Sequence, residues 1–211
     1  MKQRKTIYHL IVDKSGSMID CIEKTINGFN EQVKRIKLLE KEFFEEEITI
    51  GLTTFNHAIS NHYNGVSPSS IQPLTEKSYK PDGSTALLDA IGFCIRQIEQ
   101  DFLLIPRTLP TTVIVVILTD GYENASSSFN LEAIRTSISR LEETGKWTFS
   151  FIGATLDAVA VAETLSIKKS NSYSFEKSEM ENKVWDKLSF SLKNYCLNKR
   201  EGKENTNLFE D

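Results

Sequence analysis

Apolar residues recur along this chain in two rhythms. Residues 7–12 (Ile-Tyr-His-Leu-Ile-Val) are apolar except at His9, and residues 113–118 (Val-Ile-Val-Val-Ile-Leu) are apolar throughout. Short, β-branched runs of this kind predict strands buried on both faces of a parallel sheet. Residues 48–55 alternate instead, which predicts a strand with one apolar face, and Asn56-His57 then reads as the turn of a hairpin returning through residues 58–63. Residues 147–152 predict a further strand and residues 172–175 a last one at the sheet edge. Between them the period changes to three and four. Ile22, Ile26, Phe29, Val33, Ile36 and Leu39 predict a helix over roughly residues 18–41. Leu87, Leu88, Ile91, Cys94, Ile95, Ile98 and Phe102 predict a second, and Leu131, Ile134, Ile138 and Leu141 a third. A short helix over residues 156–165 and a closing one over residues 178–198 complete the pattern.

The strand-helix-strand-strand order at the start predicts an α/β protein whose mostly parallel sheet carries an antiparallel edge strand. Residues 64–82, with Pro68, Pro73 and Pro81 among many Ser, Gly and Asn residues, read as a long irregular connection, and such loops in compact domains are often functional. A chain of 211 residues with 39% hydrophobic content is long enough for one α/β domain, expected over residues 1–198. The remainder, residues 199–211, is polar and expected to be frayed or disordered.

Charge removes one class of function. A formal net charge of −4 and a pI near 5.5, with both signs mixed along the chain, leave no basic footprint for nucleic acid. Met1-Lys2-Gln3-Arg4-Lys5 resembles the start of a signal peptide, but the apolar run behind it is short, ends at Asp13 and carries no small-residue cleavage site, so it reads as a strand. The longest apolar run, residues 113–118, is far below the roughly 20 residues that span a bilayer. No membrane association and a cytoplasmic location are therefore expected. Cys21, Cys94 and Cys196 are widely spaced and read as reduced, buried thiols.

The candidate chemistry lies where apolar runs stop. The first ends in Asp13-Lys14-Ser15-Gly16-Ser17-Met18, which places a carboxylate at a strand's carboxyl end, where open α/β sheets bind ligands. Ser15 and Ser17 add hydroxyls at alternate positions, and Gly16 permits the tight turn that aims both at one point. Oxygen donors without His or Cys suit a small hard cation, magnesium better than zinc. The plainer alternative is that Asp13 caps the helix that follows. In Pro81-Asp82-Gly83-Ser84-Thr85, Ser84 and Thr85 stand at or just before the second helix, where they could equally be an ordinary N-cap. The run at residues 113–118 ends in Thr119-Asp120-Gly121, repeating the placement of Asp13. If the two strands are neighbours, their carboxylates repel, and a divalent ion would relieve the cost.

With Asp-x-Ser-x-Ser after the first strand, a Thr in Gly-Ser-Thr-Ala-Leu and Thr-Asp-Gly after a later buried strand, roughly residues 5–195 resemble the von Willebrand factor type A family. All five positions of that family's metal-ion-dependent adhesion site are matched in order and spacing. The resemblance implies a doubly wound, Rossmann-like fold with helices on both faces of the sheet and a divalent cation, usually Mg2+, at its carboxyl edge, with Mn2+ the alternative ion. It implies that Ser15 and Ser17 bind the ion directly, Thr85 directly in a ligand-engaged state and through water otherwise, and Asp13 and Asp120 directly or through water. The last coordination position would take an acidic side chain from a partner protein. Compact members of this kind look like bacterial intracellular proteins that work beside ATPases, kinases or stress-response systems, an analogy at the level of the fold. Lys14, Met18, Asn56, Tyr122, Glu123 and Asn124 flank the proposed ligands, and an exposed Met18 or Tyr122 would suit a partner surface.

Two other readings compete with metal-dependent protein binding. A magnesium-dependent hydrolase or phosphoryl-transfer enzyme also uses aspartates at strand ends, but the chain has no phosphate-binding Gly-x-x-x-x-Gly-Lys-Ser/Thr loop and no aspartate two residues after Asp13 to act as an acid. His9 falls in a strand, and His57 and His62 in the hairpin. The other reading is a metal-free structural module that keeps the motif as turn chemistry, against which all five ligand types are present. A binding module, not an enzyme, is the expectation.

Overall fold

In the computed structural model, which describes residues 3–154, 157–203 and 207–209, six strands form one sheet. They are β1 (Arg4–Asp13), β2 (Glu46–Phe55), β3 (Ile59–Val66), β4 (Thr111–Thr119), β5 (Trp147–Gly153) and β6 (Ser172–Ser174). Their spatial order is β3-β2-β1-β4-β5-β6. Every neighbouring pair is parallel except β2 and β3, the antiparallel hairpin at one edge.

Both faces are covered, as successive side chains of the inner strands require. Tyr8, Leu10 and Val12 of β1 and Ile114, Val116 and Leu118 of β4 pack with α1 (Ile22–Glu42) and α5 (Trp185–Arg200). Ile7 and Ile11, with Val113, Val115 and Ile117, pack on the opposite face against α2 (Leu87–Phe102), α3 (Leu131–Glu142) and α4 (Ala158–Thr164). The alternation of burial between faces follows from the two-residue period of a strand. The architecture is the α/β sheet with one antiparallel edge that the pattern predicts.

The helix boundaries differ from the periodicity in three places. The first helix is preceded by a 3₁₀ turn, Gly16–Cys21, so the chain leaves β1 through a tighter coil than an α-helix. The closing helix is approached through a 3₁₀ turn, Lys177–Glu179, and a π turn, Met180–Val184, and with this winding Met180, Val184 and Trp185 are all buried. The short helix is Ala158–Thr164; Leu156, where the pattern starts it, lies outside the described residues, as do Met1 and Lys2 of the signal-like start.

Of the stretch expected to be frayed, residues 199–203 and 207–209 are described and residues 204–206, 210 and 211 lie outside the described residues. α5 continues to Arg200, and Leu208 and Phe209, at 2% and 7% exposure, join the core on the α1/α5 face. The Leu208 amide donates to Asn171 Oδ1 at 2.6 Å, the Phe209 ring lies 6.1 Å from that of Tyr173, and the Lys187 ammonium stands over both rings. Averaging over a polar segment hides two adjacent apolar side chains, whose burial is favourable. Among the described residues no helix is long and apolar enough to cross a membrane, and Cys21, Cys94 and Cys196 are buried free thiols.

Candidate metal centre

The strand order reverses between β1 and β4, because the chain leaves β1 towards β2 on one side and β4 towards β5 on the other. Loops at such a point diverge and open a crevice at the carboxyl ends of the strands. Asp13 is the last residue of β1 and Asp120 follows the last residue of β4, so both carboxylates reach this crevice, and both are buried.

Local chemistry orients them. Asp13 accepts the Ser15 amide on Oδ1 and the Thr119 hydroxyl on Oδ2, each at 2.6 Å. Ser17 Oγ lies 3.1 Å from Ser15 Oγ and donates to Asp120 Oδ1 at 2.6 Å. Thr85 arrives on the long connection, which is stitched to the first loop by Asp82 N donating to Lys14 O at 2.9 Å and Gly16 N to Gly83 O at 3.0 Å. The Thr85 amide donates to Asn124 Oδ1 at 2.8 Å, and the Asn124 amide returns a bond to Thr85 O at 3.0 Å. The buried Tyr79 hydroxyl donates to Asp13 O at 2.6 Å and ties the connection to the end of β1.

Gly121 marks the point on which these groups converge. A side-chain carbon there would stand 3.0 Å from Thr85 Oγ1 and 3.5 Å from both Asp13 Oδ2 and Ser17 Oγ. Two oxygens from the first loop and one from the long connection thus surround a cradle that only the absence of a side chain at Gly121 leaves open. The five residues singled out in the sequence, Asp13, Ser15, Ser17, Thr85 and Asp120, come together here.

The donor set fits a hard cation. Asp13, Asp120, Ser15, Ser17 and Thr85 would offer oxygen donors alone, the chemistry a hard divalent ion prefers. Among the described residues no group of three or more His, Cys, Asp or Glu side chains comes together, so an ion here would rest on two carboxylates and neutral hydroxyls. Burial pushes the Asp13 carboxyl above its ordinary pKa, against the hydrogen bonds from Thr119 and Ser15, and the negative charge of Asp120 adds to the rise. A cation between the two carboxylates would reverse that effect.

One positive group is already in place. Lys177 Nζ lies 2.6 Å from Asp120 Oδ2 and donates to Ser17 O at 2.7 Å. Burial disfavours its charge, but the hydrogen bond and the attraction of Asp120 outweigh that and raise its pKa. Sequence reasoning missed this residue, since nothing local to Lys177 distinguishes it from other surface lysines. It also missed Thr119, although a hydroxyl directly before Asp120 is a readable hint.

The residues expected on the rim divide. Met18, placed on the rim by the sequence, is 1% exposed, because the 3₁₀ turn carries its side chain into the core on the α1/α5 face. Asn56 is also buried; its side chain donates to Asp82 O at 3.0 Å and accepts the Ala58 amide at 2.9 Å, so it shapes the hairpin and anchors the connection. Glu123 folds back to accept the amides of Ala125, Ser126 and Leu88, tying its loop to the start of α2. Lys14 is half-buried with Nζ 3.3 Å from Ser60 Oγ. Asn124 is exposed while its side chain holds Thr85, and Tyr122, at 56% exposure, is the large apolar surface of the rim. Ile19, which the sequence did not single out, is exposed on the 3₁₀ turn of the first loop.

Comparison with known proteins places the fold. The family model described as the von Willebrand factor type A domain matches residues 9–187. Among curated protein sequences none matches this chain. Similar solved structures include proximal thread matrix protein 1 from the mussel byssus with a zinc-occupied MIDAS motif, at 15% identity and a TM-score of 0.57 over 92% of this chain and 46% of that one. The manganese-loaded TRAP protein of Plasmodium vivax is similar at 15% identity and a TM-score of 0.56, over 84% of this chain and 70% of that one. The vWF domain of the type V pili tip protein Mfa5 from Porphyromonas gingivalis matches at 11% identity and a TM-score of 0.60, over 92% of this chain and 97% of that one. The chain spans about half the length of the mussel protein, and at these identities the likeness is one of fold.

Proposed function

Because the chain belongs to the von Willebrand factor type A domain family, we propose that it is a protein-binding module whose centre holds a divalent cation and engages an acidic side chain of a partner protein. The observation that carries this reading is the cradle at Gly121, where Thr85 Oγ1, Asp13 Oδ2 and Ser17 Oγ converge beside the Asp120 carboxylate. Mg2+ is the ion best suited to two carboxylates and three hydroxyls, with Mn2+ as the alternative.

In this reading Ser15 and Ser17 present hydroxyl oxygens, Asp13 and Asp120 supply charge, and Thr85 closes the set. When bound, the ion supplies a Lewis-acidic point of attachment for an external carboxylate. The protein's part is to hold the donors in place. Thr119 and the Ser15 amide fix Asp13, and Asn124 fixes Thr85. Ser17 and Tyr122 lie at the solvent side, where a partner would approach.

The test is calorimetric titration of chelator-stripped protein with magnesium and then manganese, beside Ser15→Ala/Ser17→Ala and Asp120→Ala variants whose folding is checked by circular dichroism. Saturable one-to-one binding that folded variants lack is the expected result. One observation favours a second reading, a metal-free module, because the Lys177 ammonium already neutralises Asp120. Absence of binding in the native chain and in a chain lacking the Lys177 charge would select it.

A further inference from the structure

We propose that Lys177 is a built-in counter-cation of this centre, which occupies Asp120 in the metal-free protein and must withdraw for a divalent ion to bind, so that it sets the ion affinity. The inference rests on the metal-binding reading above and adds the group that regulates it.

The Asp120 side chain has no exposed surface, and a buried carboxylate needs a partner for its charge. Its two oxygens are engaged differently. Oδ1 accepts the Ser17 hydroxyl at 2.6 Å, and Oδ2 faces the Lys177 ammonium at 2.6 Å. The ammonium also donates to the Ser17 carbonyl at 2.7 Å, so it bridges the aspartate of one loop and the backbone of the other. The lysine is itself tethered, because Lys24 Nζ donates to Lys177 O at 3.0 Å. Its backbone is thus held in the segment between β6 and α5, while its side chain, 37% exposed, reaches the centre and is free to turn to solvent.

An ion that takes oxygens from both Ser17 and Asp120 would meet this ammonium at close range in a partly buried site, where like charges are weakly screened. Two carboxylates balance one divalent ion without help; with the lysine still in contact, the centre carries a surplus positive charge. Withdrawal costs little in structure, since the Lys177 side chain reaches solvent and Asp20, exposed on the 3₁₀ turn of the first loop, also attracts it. Lys177 therefore does for the empty centre what the ion does for the loaded one: it prevents two neighbouring carboxylates from facing each other uncompensated.

The experiment compares the full native chain with Lys177→Met, which keeps length and removes charge, and Lys177→Arg, which keeps charge. Magnesium affinity is read by calorimetry. In parallel, native protein with and without saturating magnesium is acetylated briefly, and modification of Lys177 is read by mass spectrometry against the exposed Lys34 as a reference. Removal of one adjacent like charge is expected to tighten magnesium binding by roughly tenfold or more in Lys177→Met, while Lys177→Arg, which keeps the charge, shows no such gain. Magnesium is expected to speed acetylation of Lys177 and not of Lys34. Binding seen only in Lys177→Met supports the inference in its strongest form. Equal or weaker binding by a folded Lys177→Met beside a native chain that binds overturns it and leaves the metal reading intact, as does unchanged acetylation of Lys177 in a native chain that binds. No binding by any of the three proteins overturns both.

Discussion

His9 of β1 and Gly51 of β2 are register partners, and the imidazole fills the space in which a side chain at position 51 would stand, with Nδ1 well inside contact distance of that point. The pairing explains how a polar ring sits in a central strand. Its Nε2 bonds Thr53 Oγ1 at 2.9 Å, the ring has no exposed surface, and burial lowers its pKa to about 3. Gly51→Ala is expected to cost about 1–3 kcal/mol through overpacking, measured as a lower urea midpoint. A midpoint equal to that of the native chain would mean that the ring moves freely aside.

The same ring predicts a pH dependence. It stays neutral in the fold down to about pH 3, whereas in the unfolded chain it protonates near pH 6.5. Between those values the unfolded state binds the extra proton, so stability falls as pH drops through the window and is unaffected by this group above it. From pH 7 to pH 5 the loss attributable to His9 is about 2 kcal/mol. Urea unfolding at the two pH values should show a smaller loss in His9→Gln than in the native chain.

Gly121→Ala tests the cradle without removing any donor. The added methyl carbon would sit 3.0 Å from Thr85 Oγ1 and 3.5 Å from Asp13 Oδ2 and Ser17 Oγ, in the space the oxygens enclose. Magnesium affinity is expected to fall by roughly tenfold or more, while thermal stability without metal changes by less than about 1 kcal/mol. Unchanged affinity would place the ion elsewhere.

Asp89, on the first turn of α2, holds the loop that follows the centre. Its carboxylate accepts the amides of Ser127, Ser128 and Phe129 at 2.8–3.0 Å. Burial disfavours the charged form, but these amides outweigh it and hold the carboxyl below its ordinary pKa. The stabilisation is therefore complete above the usual carboxylate range and is lost as pH falls through the lower folded value. Asp89→Asn is expected to cost about 1–3 kcal/mol and to speed hydrogen exchange at those three amides. Exchange rates equal to the native ones would show that the loop is held by other contacts.

Leu208→Ala tests whether the tail belongs to the core. A side chain buried to 2% exposure is expected to cost about 2–5 kcal/mol when truncated. A frayed tail would give no change in the urea midpoint.

The α/β class, the antiparallel hairpin and the placement of Asp13 and Asp120 at strand ends are legible in the chain alone, because a run of apolar residues and the polar residue that stops it are neighbours in it. Alternation and three-to-four spacing are local records of burial, and they survive without knowledge of what does the burying. Where a record needs a partner from another segment, local pattern falls silent. Met18 reads as surface in its polar loop until a 3₁₀ turn carries it inward, and Leu208 and Phe209 read as tail until a groove is present to receive them. That β1 and β4 are adjacent, that Thr85 is brought to them by the stitching of residues 82–85, and that Gly51 makes room for His9 emerge only when distant segments pack. The same packing sets Lys177 on Asp120, since the two meet through the order of strands in the sheet and through contacts between loops that are distant in the chain.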